Sequence, residues 1–174
     1  MERSPRWSMA VRALLLLALM GLLACGDAPT DSDPDVPVSV GVLAVDEHNL
    51  PVVVLEEQDG PRLLPIWIGT AEAHSIAAEM EQKPALRPNT HDLAKRLIQG
   101  LEGEIVRVEV SDLRDGTYFA TIVLLSRGEM VDIDARPSDA IAIALRVDAP
   151  IFVRASLLDG ERSEPVVDPA ERRI

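Results

Sequence analysis

The sequence predicts one α+β domain: an antiparallel or mixed β-sheet with three main helices. Along the chain it runs three strands, two helices, three strands, a helix and a last strand. Three patterns carry that prediction. Val38, Val40, Val42 and Ala44 recur at the two-residue period of a strand. Ala73, Ile76, Ala77 and Met80 recur at i, i+3, i+4 and i+7, the period of one helix face. Ala140 to Leu145 is an apolar run without a charge, which suits a helix buried almost all round.

The elements follow in order. Arg3, Arg6 and Arg12 precede an apolar stretch from Ala13 to Ala24, too short to span a bilayer comfortably and suited to a signal-peptide core. Leu22-Leu23-Ala24-Cys25 resembles a bacterial lipobox, so residues 1–24 read as a lipoprotein signal and Cys25 as the lipidated first mature residue. Cys25 is the only cysteine, so no internal disulfide can form. Residues 25–37 read as the lipidated cysteine and a flexible tether, rich in Asp, Pro, Ser and Thr. Gly26 after the cysteine points to the outer membrane, facing the periplasm or the cell surface.

The domain itself is expected over 38–159, with a polar tail over 160–174. After the first strand, Pro51 to Glu56 is β-branched, Asp59-Gly60 marks a turn, and Leu63 to Ile68 completes an antiparallel meander. Thr70 is expected to cap a helix to about Gln82, with Glu72, Ser75 and Glu79 on its polar face. Thr90 is expected to cap a second helix that buries Leu93, Ala94, Leu97, Ile98 and Leu101, with Asp92 and Arg96 pairing on its surface. Ile105 to Val110 and Tyr118 to Leu125 flank Asp115-Gly116, a strong hairpin dipeptide. Met130 to Ala135 is a further strand, Ser138 to Arg146 the buried helix with Ser138 as its cap, and Ile151 to Val153 the last strand.

Charge and motif content restrict the chemistry. The chain has a net charge of −12 and few aromatic residues, which argues against a long basic or base-stacking face for nucleic acid. Gly-x-Ser-x-Gly, His-x-His, Cys-x-x-Cys and His-Glu-x-x-His are absent, so neither a serine-hydrolase elbow nor a zinc site is indicated. His48 and His74 read as surface residues, and Trp67 as core.

Ionisable chemistry concentrates instead at Asp134-Ala135-Arg136-Pro137-Ser138-Asp139, the corner between a strand and the buried helix, and at Asp112-Leu113-Arg114-Asp115-Gly116. These stretches resemble signature blocks of the bifunctional nuclease domain family. Leu64-Pro65-Ile66-Trp67-Ile68-Gly69, Arg87-Pro88-Asn89-Thr90-His91-Asp92-Leu93 and Ala149-Pro150-Ile151-Phe152-Val153 resemble its other blocks, in the family's order. The resemblance covers about Val38 to Asp159. It implies a compact α+β domain, usually dimeric, that acts on DNA and RNA.

On that basis Asp134, Asp139, Glu72 and His91 are the candidate catalytic residues. Asp132 and Asp134 point the same way from a strand, roughly 6–7 Å apart. Asp134, Asp139 and Glu72 can converge on a divalent cation, with magnesium the expected cofactor. Arg136 and Arg114 are the candidate phosphate ligands. Each has a structural counterpart. Arg136 can clamp Asp134 and Asp139 internally, His91 can be a hydrogen-bonded helix-start residue, and Glu72 can serve only the helix dipole. The expected activity is hydrolysis of DNA and RNA phosphodiesters by an envelope-anchored homodimer. The alternative is a non-catalytic dimeric lipoprotein that binds another protein.

The lipobox makes a direct prediction. Bacteria producing the chain and fed labelled palmitate will label it, and Cys25→Ser will abolish the label; equal labelling of both proteins would overturn the anchor.

Overall fold

A computed structural model describes residues 33–83 and 86–159. The expected signal segment, Cys25 and the expected C-terminal tail lie outside the described residues. Strands β1 (Asp35–Val45), β2 (Pro51–Glu57) and β3 (Leu63–Trp67) come first, then helices α1 (Thr70–Met80) and α2 (Thr90–Gly100). Strands β4 (Gly103–Arg114), β5 (Thr117–Ser126) and β6 (Glu129–Ala135) follow, then α3 (Pro137–Val147), β7 (Ile151–Arg154) and a short α4 (Ala155–Leu158). The order matches the sequence expectation apart from α4. The first strand starts at Asp35, so Asp35, Val36 and Pro37 pair with β7 rather than belonging to the tether.

The seven strands form one sheet in the order β3-β2-β1-β7-β4-β5-β6. Two antiparallel meanders are joined by β7, which pairs antiparallel with β1 and parallel with β4. Asp115 and Gly116, with φ of 49° and 74°, form the hairpin turn that the dipeptide predicts. A register shift between Val40 and Val42 breaks the even alternation expected in β1. Val38, Val40 and Leu43 pack with the main core, while Val42 and Ala44 lie across from Val54 and Val52.

Helix α3 packs against α1, α2, β4 and β5. Its Ala140, Ile141, Ala142 and Ala144 are fully buried, because small residues let the helix sit close to the sheet. Ile76, Leu55 and Val108 complete the centre, each worth about 1.5–3 kcal/mol when taken from water.

All three long helices have a different cap from the one expected: Gly69 rather than Thr70 precedes α1, and Arg136 rather than Ser138 precedes α3. The cap of α2 is Asn89, not Thr90. The Asn89 side chain accepts from the Asp92 backbone N–H while the Asp92 carboxylate accepts from the Asn89 N–H, a reciprocal capping box. Leu93, Leu97 and Leu101 are exposed, and only Ala94 and Ile98 of the expected apolar face pack inward. The helix is turned by its polar anchors: Asp92 accepts from Arg146 Nε at 2.7 Å, and Lys95 Nζ donates to the Arg146 carbonyl. Arg146, not Arg96, is therefore the partner of Asp92.

Arg146 is a charge inside the helical layer, its side chain only 2% exposed. It also donates to the Ala142 carbonyl and to both the carbonyl and the hydroxyl of Ser75. Its guanidinium fork makes four hydrogen bonds to three segments, one more than the three donors of an ammonium supply. We expect Arg146→Met to lower stability by about 3 kcal/mol in urea unfolding, since it strands partners inside the fold. Arg146→Lys will recover only part of the loss. The hydrogen bond from Arg146 holds the Asp92 carboxyl below its ordinary value of 3.8. The stabilisation from this pair is therefore complete above pH 3.8 and lost as pH falls through the lower folded-state value. Arg146→Met will weaken that acid-side dependence, leaving the part due to the Asn89 N–H and Arg96.

Candidate active site

The starts of α1, α2 and α3 meet at one open pocket of about 320 Å³. It is lined by Ala71 and Glu72 of α1, by Asn89 to His91 at the start of α2, and by Arg136 and Asp139 at the start of α3. Each helix start presents N–H groups without intrahelical partners and roughly half a positive charge. The cap residues of α1 and α3, Gly69 and Arg136, make no side-chain cap hydrogen bond, although Glu72 in α1 turns its carboxylate onto its own N–H. Pro137 at the first position of α3 has no N–H to lose.

Arg136 sits between two carboxylates. Its Nε donates to Asp139 Oδ2 at 2.8 Å, and its Nη2 donates to Glu72 Oε1 at 2.7 Å and Asp139 Oδ1 at 3.1 Å. Nη1 has no partner among the described residues, and two thirds of the side chain faces solvent. Burial alone pushes the Asp139 carboxyl up, but hydrogen bonds from Arg136 and His91 outweigh it and hold the group below its ordinary value. Glu72 is also held down, first by its own backbone N–H and then by Arg136. A Cβ on Gly69 would lie 2.2 Å from Glu72 Oε2. Glycine at that position is what lets the Glu72 carboxylate fold back over the start of α1.

His91 is buried beneath this pair. Its Nε2 lies 3.0 Å from Asp139 Oδ1 and its Nδ1 lies 2.8 Å from Ser75 Oγ. Which nitrogen carries hydrogen follows from Ser75. A hydroxyl has two acceptor sites and one hydrogen. Both acceptor sites are taken, by Arg146 Nη2 at 2.8 Å and Asn89 Nδ2 at 2.9 Å. The Asn89 amide cannot be reversed, because its oxygen accepts from the Asp92 N–H. The Ser75 hydroxyl must then donate to His91 Nδ1, and His91 must carry its hydrogen on Nε2 and donate to Asp139. Neither ring nitrogen has a lone pair left for substrate. His91 therefore orients Asp139 rather than moving protons itself.

Of the expected site residues, Glu72, His91, Arg136 and Asp139 come together. Asp134 does not. Ala135 packs toward the core, so its neighbour Asp134 falls on the opposite face of the edge strand β6, opposite Thr121. The Arg136 clamp thus joins Glu72 to Asp139, not Asp134 to Asp139. Arg114 is also apart, paired with Asp112 at 2.6 Å and lying over the Phe119 ring at 4.9 Å. Ser138 is buried in the first turn of α3, where Arg136 holds the cap position. Ser75, expected on a polar face, is buried and central to the site. Its alanine-rich neighbourhood, Ala71, Ala73, Ala77 and Ala78, was the available signal.

A divalent ion needs converging acidic donors. Among the described residues no group of three or more His, Cys, Asp or Glu side chains is placed to hold one. Arg136 takes the space between Glu72 and Asp139, and as arranged this donor set suits a guanidinium. The two carboxylates would be available to an ion only if Arg136 left both.

The fold and this centre define a small α+β domain whose polar site is built at three converging helix starts. Residues 53–165 match the bifunctional nuclease domain. An uncharacterized protein of Mycobacterium tuberculosis is 42% identical over 119 residues, covering 68% of this chain and 71% of that protein. Bifunctional nuclease 2 of Oryza sativa subsp. japonica is 34% identical over 130 residues, 71% of this chain and 39% of its own length. Bifunctional nuclease 1 of Arabidopsis thaliana is 35% identical over 118 residues, 64% and 36% respectively. The chain belongs to the bifunctional nuclease domain family. It spans little more than a third of the plant relatives.

The tautomer of His91 is open to measurement. In a long-range ¹H–¹⁵N spectrum of histidine-labelled protein, His91 will show its hydrogen on Nε2, and Ser75→Ala will move the Nδ1 signal away from the hydrogen-bonded position. A hydrogen on Nδ1 in the unsubstituted protein would sink the assignment.

Proposed function

We propose that the chain hydrolyses phosphodiester bonds of DNA and RNA at the Arg136–Asp139–His91 centre. Family membership supports the reaction class. The geometric support is one observation: an exposed arginine and a carboxylate fixed from behind stand where three helix starts converge. A phosphate diester suits that place, because Arg136 offers the free Nη1 and the helix starts offer N–H groups and positive dipole ends.

The residues then divide the work. Arg136 and the helix starts hold the phosphate and take up charge that develops on its oxygens. Asp139, a third of it open to solvent, accepts the proton of the attacking water. His91 Nε2–H fixes the angle of that carboxylate. A phosphate that draws Arg136 away also removes the main influence holding the Asp139 carboxyl down, and burial then raises it. Asp139 becomes a better base when substrate is present.

A second reading, a protein-binding module, draws on the exposed Leu93, Leu97 and Leu101 stripe of α2. It predicts an activity-free protein. The two are separated by incubating the purified chain with plasmid DNA and with RNA and resolving the products on gels. Asp139→Asn and Arg136→Ala are expected to lower the cleavage rate at least about 100-fold. Asp134→Ala will stay within about threefold of the unsubstituted rate, as for a surface change. Undiminished cleavage by Asp139→Asn would place the chemistry elsewhere, and no cleavage by any form would favour the binding module.

A further inference from the structure

A second cavity, about 370 Å³, opens on the other side of Arg136. The end of β3, the β4–β5 turn and the start of α3 enclose it, and Trp67, Tyr118, Ile68, Leu50 and Pro137 are among its walls. The proposed hydrolysis makes no use of it. Its size is in the range of small-molecule sites.

Trp67 is the telling residue. The sequence places it in the core, yet it is 43% exposed. The indole is nevertheless fixed, because its Nε1–H donates to Asp46 Oδ2 at 2.9 Å. Asp46 is itself fixed, since its other oxygen accepts from the backbone N–H groups of His48 and Leu50. An exposed aromatic ring held in place loses little freedom when something stacks on it. Tyr118, the only tyrosine of the chain, lines the same cavity. The chain carries few aromatic residues, and two of them face one space.

We propose that this cavity seats one unpaired nucleobase, stacked on Trp67, of a nucleic-acid strand whose neighbouring phosphate lies against Arg136. The orientation of the strand rests on the phosphodiester reading of the Arg136 centre. Two features favour a base over other apolar ligands. Arg136 lines both cavities, so an anion on one side and a flat ring on the other are held by contiguous walls. The net charge of −12 denies the chain a long electrostatic grip on a polyanion, so retention must come from short-range contact with an uncharged ring. Stacking tolerates any base, because each has a π-face. A paired base cannot enter, so single-stranded or locally opened nucleic acid is the substrate class.

The test reads binding, not cleavage. The full chain carrying Trp7→Phe leaves Trp67 as its only tryptophan. A hexamer of deoxythymidylate is expected to quench its emission, and an abasic hexamer of equal length to do so much less. By anisotropy of labelled hexamer, the abasic strand and Trp67→Ala will each weaken binding about tenfold, while Trp67→Phe keeps most of it. The phenylalanine variant separates lost stacking from lost folding. Equal affinity for both hexamers, or for a blunt duplex and the single strand, would overturn the base site. Base-dependent binding without any Asp139-dependent cleavage would uphold this site and remove the hydrolytic reading. Cleavage that ignores Trp67 and the bases would do the reverse.

Discussion

The centre depends on one hydroxyl with nothing to spare. Ser75 Oγ receives hydrogen bonds from Arg146 and Asn89, and its single hydrogen goes to His91. A buried polar group left without a partner costs more than an average hydrogen bond gains. Each member therefore fixes the next. The α2 cap sets the Asn89 amide, the amide and Arg146 set the direction of the hydroxyl, the hydroxyl sets the hydrogen on His91, and His91 sets Asp139. Among the described residues the only buried polar or charged ones are Ser75, His91, Ser138 and Arg146. Three of these four belong to this one chain of contacts, so the polar interior is devoted to holding the site.

The acidity of the chain and its affinity for an anion are compatible once distance is considered. At long range a net charge of −12 repels a polyanion. At the pocket the sign is local. Two carboxylates and one guanidinium leave one excess negative charge, and the starts of α1 and α3, each of roughly half a positive charge, offset it, while α2 is already capped by Asn89 and Asp92. Under the proposed function, encounter is unassisted by steering and the grip is made at contact. Such binding responds weakly to salt compared with that of a basic nucleic-acid protein.

Much of the fold could be read from the sequence, and the reasons differ by element. The strands and α3 are written in local pattern: alternation, the Asp115-Gly116 turn and an uncharged run leave little choice. Arg127 and Gly128, both at positive φ, form a second tight turn for which Gly128 was the only hint. What failed was anything decided across segments. Leu93, Leu97 and Leu101 have the spacing of a buried face, but Arg146 pins Asp92 and rotates α2 the other way. Trp67 has the composition of core and sits on an edge strand. Asp134 and Asp139 lie in one short stretch of sequence and on different faces, because the strand ends at Ala135. Ser75 looks like a solvated helix residue until the helix is placed beside Arg146. Glu72, His91, Arg136 and Asp139 were legible because each sits in the first turn or cap of a helix, where ionisable residues need a reason.

The helix starts that compose the pocket have a consequence for when the protein can act at all. Ser75 and His91 are 16 residues apart in sequence, and His91 and Asp139 are 48 apart. No chain contains the constellation before α3 has docked, so under the proposed function no earlier stage of folding is active. The same arrangement sets how it fails. Parts of a protein open at lower free energy than the whole, and the apolar side chains that α2 packs inward are Ala94 and Ile98. Lifting that one helix takes His91 and Asn89 away together and leaves the seven strands paired. Under the proposed function competence is thus lost first and structure later, and a folded sheet is no guarantee of a working molecule.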